Sequence, residues 1–275
     1  METGSLLLSK LSNTVWAIRP EMLPIFENVL NMKFNEMEKL SAAVVAKKPQ
    51  DEIRSDLVTI YGSKAIISVS GILMDNCSWL DAMCGMTSYG MIEQAVDECA
   101  NASGIDHIIT LWDSPGGMAS GCNRATNVFR AARDKKRCTS LVTGQCCSAA
   151  YYLASGSDEV YADDPIRMVG HIGCYMLHVD QSKKDEKDGY KFTYIKAGEF
   201  KTDGNSHEPL SKSAMEQLQE SVNTCYENFI NDVAINRRLS VDQIRGVANG
   251  KWYDAVKAPK EILDGFATLG EILTW

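Results

Sequence analysis

Histidine is scarce in this chain, and basic residues are outnumbered. The 275 residues include four histidines, and 28 Lys+Arg stand against 36 Asp+Glu, for a net charge of -8. Such a balance does not attract phosphate backbones or anionic lipid, so neither nucleic acid nor a membrane is expected as a partner. His107, His171, His178 and His207 form no H-x-x-x-H pair, and the nine cysteines form no C-x-x-C pair. Metal-site spacing is therefore missing, and no metal or other cofactor is expected. Apolar runs are short: none approaches the roughly 18 residues of a bilayer span, and Leu6-Leu7-Leu8 is too brief for a signal-peptide core. An odd, scattered set of cysteines with Cys146 beside Cys147 fits a reduced, cytoplasmic compartment.

What remains is an ordinary globular composition, 45% hydrophobic and 23% charged, in a chain long enough for one large domain or two small ones. Residues 14 to 40 carry apolar side chains at helical spacing, from Leu23 and Phe26 through Val29, Leu30 and Phe34 to Met37 and Leu40. Pro20 and Pro24 suit first helical turns. Charged residues around Lys47-Lys48-Pro49 and Asp51-Glu52 then read as a linker. The expected division is an N-terminal helical arm and linker over 1–56 and a main domain over 57–275.

Beyond Val58, short β-branched runs alternate with helical ones. Strands are expected at Ala65 to Val69, Ile105 to Leu111, Thr139 to Val142, Glu159 to Ala162 and Phe192 to Ile195. Helices are expected near 88–102, 119–134, 148–156, 177–188 and 211–237, with a shorter one capped by Ser240. That alternation predicts an α/β domain with helices packed on a largely parallel sheet.

Three segments carry candidate chemistry. In the first, an apolar strand runs into Asp113-Ser114-Pro115-Gly116-Gly117. Paired glycines can turn backbone N–H groups outward as an oxyanion hole or phosphate cradle, although a plain strand-to-helix turn has the same composition. In the second, Thr143-Gly144-Gln145-Cys146-Cys147 leads through small residues into a helix opened by Ser148, which reads either as a nucleophile or as an N-cap. Cys146 and Cys147 compete as nucleophiles, but small buried cysteines are commonly inert. The third is Lys201 in the loop Gly198-Glu199-Phe200-Lys201, which alone reads as a solvated charge.

Taken in order, these segments resemble the S49 family of serine peptidases, the group of signal-peptide peptidase A and phage capsid proteases, with its ClpP/crotonase-like fold. The likeness covers about residues 58 to 270 and rests on four motifs in sequence. These are Asp113 to Gly117, Ser148 opening a helix, the turn Gly170-His171-Ile172-Gly173, and the lysine loop, with Lys201 lying 53 residues after Ser148. The continuations Lys201-Thr202-Asp203-Gly204-Asn205 and Val179-Asp180-Gln181-Ser182 are most similar to the phage capsid maturation branch.

The resemblance implies a Ser-Lys dyad, with Ser148 as nucleophile and Lys201 as general base, and an oxyanion hole from the N–H groups of Gly117 and Ala149. An exposed lysine holds its proton at neutral pH, so that role requires burial, for which Phe200 and Ile195 are the expected neighbours. His171 replaces the serine usual in the third motif and stands where ClpP-type peptidases place a catalytic histidine, so it is the alternative base. The implied substrates are scaffold, portal or capsid proteins inside a phage prohead in the host cytoplasm, cut by a homo-oligomer. A crotonase-type hydratase would need no serine facing a lysine. An inactive capsid-assembly protein on the same fold is the non-enzymatic alternative.

Overall fold

The structure is a computed structural model and describes residues 14–22, 57–77 and 85–275. The strands in its first half are β1 (Val15–Ile18), β2 (Val58–Tyr61), β3 (Lys64–Ser70), β4 (Ile72–Met74) and β5 (Met86–Ser88). Helix α1 (Tyr89–Asn101) precedes β6 (His107–Ser114) and β7 (Gly116–Met118), and α2 (Cys122–Arg133) leads into β8 (Arg137–Cys147). Next come α3 (Ala149–Ala154), β9 (Glu159–Ala162), β10 (Met168–Gly170), β11 (Tyr175–Met176) and α4 (Ser182–Lys187). The chain ends with α5 (Lys212–Arg237), α6 (Val241–Val247), β12 (Trp252–Asp254), β13 (Gly265–Phe266) and α7 (Leu269–Ile272).

The α/β expectation holds. Among the described residues the larger sheet runs β12-β10-β8-β6-β3-β2, with β9 on the first half of β8 and β13 on β9. Its centre is parallel, β3 to β6 to β8 to β10. Alternation in β3 buries Ala65, Ile67 and Val69, whereas β6 and β8 are buried along most of their length because both sheet faces are covered. Helices α1, α2, α3 and the C-terminal half of α5 supply one cover, joining Ile92, Phe129, Leu153 and Phe229 to the main core. On the opposite face, Ala267 and Ile272 pack on Ile109 and Leu141.

Local signals set the helix ends. Ser88 caps α1 by accepting from Met91 N–H at 3.1 Å, and Ser211 caps α5 through Ala214 N–H at 3.0 Å. Ser240 caps α6, as the sequence predicts, and Gln243 closes a reciprocal box with it. A buried polar network then fixes α5 on α2 and α3. Asp232 accepts from Tyr152, from Asn123 at 2.7 Å and from Arg130 at 3.2 Å. Asn236 donates to Thr126 at 3.0 Å and to Ser155 at 2.8 Å.

Three expectations need correction. Residues 15–18, assigned to the start of a helical arm, form β1 in a second sheet ordered β11-β1-β7-β4-β5; Val15, Trp16 and Ile18 are β-branched or aromatic, and the strand is paired on both edges, to β11 and to β7. The remainder of the expected arm and linker, from residue 23 to residue 56, lies outside the described residues. Phe192 to Ile195 is not a strand: no described strand lies beside it to complete a ladder, and Ile195 is fully exposed. The helix expected over 177–188 is confined to Ser182–Lys187.

Burial also makes the fold sensitive to acid. His107, at the start of β6, is buried with its Nε2 at 2.9 Å from Thr139 Oγ1 and no partner on Nδ1. Burial first, then nearby Arg137 and Lys64, push its pKa down to about 4. The folded value lies below the unfolded value of about 6.5, so this stabilising contribution is present above that pH and is lost as the pH falls towards 4. The urea midpoint is expected to drop across that window, and to drop less in His107→Asn. Equal losses in the two proteins would contradict this assignment.

Candidate active site

Three parallel strands end side by side, and their ends bring the sequence motifs together. Ser114 at the end of β6 is in register with Cys146 in β8, and Gly170 at the end of β10 with Cys147. Sites in open α/β sheets form at such carboxyl ends. Ser148 follows β8 directly and adopts φ 56°, ψ -119°, a conformation that L residues rarely take. Its N–H donates to the Gly170 carbonyl at 2.7 Å, and its own carbonyl accepts the first bond of α3 from Tyr152 at 2.9 Å.

The side chain does not cap α3. This removes the N-cap reading and leaves the Ser148 hydroxyl with one long contact, to the Gly173 carbonyl at 3.5 Å. A hydroxyl held on a strained strand-to-helix turn and spared from capping is placed for nucleophilic attack. The cysteines beside it are poor competitors. Burial pushes Cys147 up to about 12 and Cys146 well above the usual thiol range, so both stay protonated at neutral pH.

Gly116 and Gly117 are required by contact. A Cβ on Gly117 would lie 1.8 Å from the Leu73 carbonyl oxygen. At Gly116, with φ 104°, it would lie 2.2 Å from the Ala17 carbonyl oxygen, 2.9 Å from that of Cys147 and 3.0 Å from Ser148 Cβ. Ser114 fixes the turn, donating to the Gly71 carbonyl at 2.6 Å and accepting from Gly116 N–H at 3.2 Å. Asp113 accepts from Gln145 N–H at 3.2 Å and so ties this turn to β8.

His171 is half-buried one residue beyond Gly170, also at positive φ, 56°. Its N–H donates to the Lys251 carbonyl at 3.0 Å, while its buried Nδ1 has no partner. Burial lowers its pKa, with Glu21 opposing and Arg19 reinforcing the shift. No hydrogen bond joins its ring to Ser148.

Lys201 is placed differently. It is exposed, as are Phe200 and Ile195, so the burial expected from those two neighbours does not occur within the single chain. The loop is held by local bonds, such as Lys196 Nζ to the Glu199 carbonyl at 2.8 Å. Among the described residues no hydrogen bond joins Lys201 to Ser148. The structure therefore brings together Ser148, Ala149, Gly116, Gly117 and His171, and leaves Lys201 apart. Sequence reasoning named Ser114 and Gly173 inside motifs without giving them a role, and it missed β1, whose readable signal is its run of aromatic and β-branched residues ahead of Pro20.

Strain at Ser148 has a measurable consequence. Ser148→Gly and Ser148→Ala both delete the hydroxyl, but only glycine accepts the positive φ without cost. Ser148→Gly is expected to unfold at higher urea than Ser148→Ala, by about 1 kcal/mol. Equal stabilities would mean that the turn is unstrained.

The geometry agrees with what the chain is similar to. The profile described as "Peptidase family S49" matches residues 130–268. Capsid assembly protease C of Escherichia phage lambda is 31% identical over 180 residues, covering 66% of this chain and 41% of that protein. The head-tail preconnector protein GP5 of Enterobacteria phage P21 is 29% identical over 182 residues, covering 66% of this chain and 36% of that protein. This chain thus spans about two fifths of the length of those relatives. Among solved structures, the ClpP protease catalytic domain from Plasmodium falciparum gives a TM-score of 0.43 at 10% identity, covering 82% of this chain and 94% of that one. With half its length matched by the profile and three of its four motifs gathered at one end of the sheet, the chain belongs to peptidase family S49.

Proposed function

We propose that this chain is a serine endopeptidase in which Ser148 attacks a peptide carbonyl and Lys201 accepts the hydroxyl proton, later passing it to the leaving amine. The observation that carries the reading is the Ser148 turn, with its positive φ and its hydroxyl free of capping duty. The N–H groups of Gly117 and Ala149 would hold the oxyanion, and loss of one such donor lowers turnover on the order of a hundredfold or more.

Because Lys201 is exposed in the single chain, the dyad requires the segment around it to close on a Ser148, its own or that of a neighbouring copy. A lysine works as a base only once it is desolvated. Several apolar side chains of that segment are open to solvent, among them Tyr190, Phe192, Ile195 and Phe200, which supports self-association. The printed names of the phage relatives support proteins of an assembling capsid, the scaffold, portal or shell components of a prohead, as substrates.

One observation favours a second reading, with His171 as the base. It is half-buried, next in sequence to the residue that binds Ser148 N–H, and its lowered pKa keeps it neutral at pH 7.

Turnover of a labelled unfolded protein separates the two bases. Lys201→Ala is expected to lose about a thousandfold or more, while His171→Ala stays within about tenfold of wild type. Full turnover in Lys201→Ala with loss in His171→Ala would transfer the role to His171. The pH–rate profile gives an independent check: a His171 base leaves an acid limb below pH 6.5, because burial lowers its pKa, and a lysine base moves that limb upward. Light scattering is expected to show a species larger than the 30.3 kDa chain. A monomer that is fully active would remove the need for a neighbouring copy.

A further inference from the structure

β1 lies where a substrate would have to lie. It is antiparallel to β7 on one edge, with Ala17 opposite Gly117, and antiparallel to β11 on the other, with Trp16 opposite Tyr175. β7 opens with Gly116, which abuts Ser148, and β11 begins two residues after Gly173, whose carbonyl faces the Ser148 hydroxyl. β1 therefore lies between the two segments that flank Ser148.

Its register is specific. Arg19 N–H donates to the Pro115 carbonyl at 3.2 Å and Ala119 N–H to the Val15 carbonyl at 3.0 Å. Bonded pairs alternate along an antiparallel ladder, so Ala17 and Gly117 form the bonded pair between these two, and Gly117 N–H is directed at the Ala17 carbonyl. That same carbonyl oxygen lies 2.2 Å from the point where a Gly116 Cβ would be, and Ser148 Cβ lies 3.0 Å from that point. A peptide carbonyl thus abuts Gly116, as Ser148 does, and faces the donor proposed for the oxyanion hole.

The side chains add a pattern. Ala17 is buried in the main core, while Trp16 and Ile18 point the other way into a separate cluster with Ile72, Met74 and Met86. All three are 1% exposed. The space for the residue that presents its carbonyl is enclosed and fits a methyl group, and its two neighbours fill large apolar pockets.

We infer that residues 15–18 occupy the substrate cleft as a built-in substrate mimic, which blocks incoming protein until it is displaced and shows what the cleft accepts. The inference rests on Ser148 being the reacting centre. The favoured substrate is an extended segment with a small residue at the reacting carbonyl and bulky apolar residues on either side, added to the sheet through its backbone. Held in this way, β1 competes with every substrate at an effective concentration no free peptide matches.

A reversible lock tests this in the full chain. Val15 and Met176 are partners across β1 and β11 and form a non-bonded pair, a spacing that suits a disulfide. In Val15→Cys/Met176→Cys, with the bridge verified by peptide mapping, oxidation is expected to lower turnover of an unfolded protein at least about tenfold, and reduction to restore it. Equal turnover in both states would overturn the inference.

A binding measurement keeps the outcome independent of catalysis. With Ser148→Ala added, a fluorescent peptide of residues 13–20 is expected to bind the reduced form, and not the oxidised form, by anisotropy. The same peptide carrying Ala17→Phe is expected to bind neither. If peptide binding follows the lock but no form cleaves protein, the peptidase reading fails and the cleft assignment stands. If the peptide binds both states equally, or binds as well with phenylalanine, the cleft assignment fails.

Discussion

The backbone of Ser148 is the constraint on which the rest of this structure depends. Holding a non-glycine residue at φ 56° costs about 1–3 kcal/mol, and the surroundings must supply it. They do so from both sides, through the 2.7 Å bond to the Gly170 carbonyl and through the room left by the missing side chain of Gly116. Each support comes from the end of a different chain segment. The parallel register of β6, β8 and β10 is therefore what makes the turn possible, because a slip of one residue would part Gly170 from Cys147 and Ser114 from Cys146.

Behind the turn, packing prevents α3 from moving. The helix has six residues, all buried, and is too short to be stable alone. Tyr152 stacks on Phe229 at 4.4 Å between ring centroids and donates to Asp232, while Tyr151 donates to the Ile262 carbonyl at 2.9 Å. The far half of α5 thus serves as a buttress for the Ser148 turn. Its near half is mostly exposed, like the segment carrying Lys201 that precedes it.

Much of this was legible in the sequence, for identifiable reasons. The central strands and α1, α2 and α5 carry strong periodicity, and serine caps open α1 and α5, so their existence and type follow from local chemistry. Three of the four motifs fall where backbone geometry restricts residue choice, at Gly116, Gly117, Ser148 and Gly170. What could not be read depends on distant partners. Phe192 to Ile195 has strand composition but no neighbouring strand, and β1 forms only because β7 and β11 lie on either side of it. The surroundings of Lys201 fail for the same reason: burial by Phe200 and Ile195 depends on what packs over that loop, which adjacency in sequence does not determine.

The central claim is that Ser148 is the nucleophile, and covalent capture tests it most directly. The protein would be treated with a fluorophosphonate probe, digested and mapped by mass spectrometry, with Ser148→Ala alongside. The account predicts a single adduct on Ser148 that disappears in the variant, together with all cleavage of protein. An adduct on Cys146, Cys147 or any other residue, or cleavage that persists in Ser148→Ala, would contradict it.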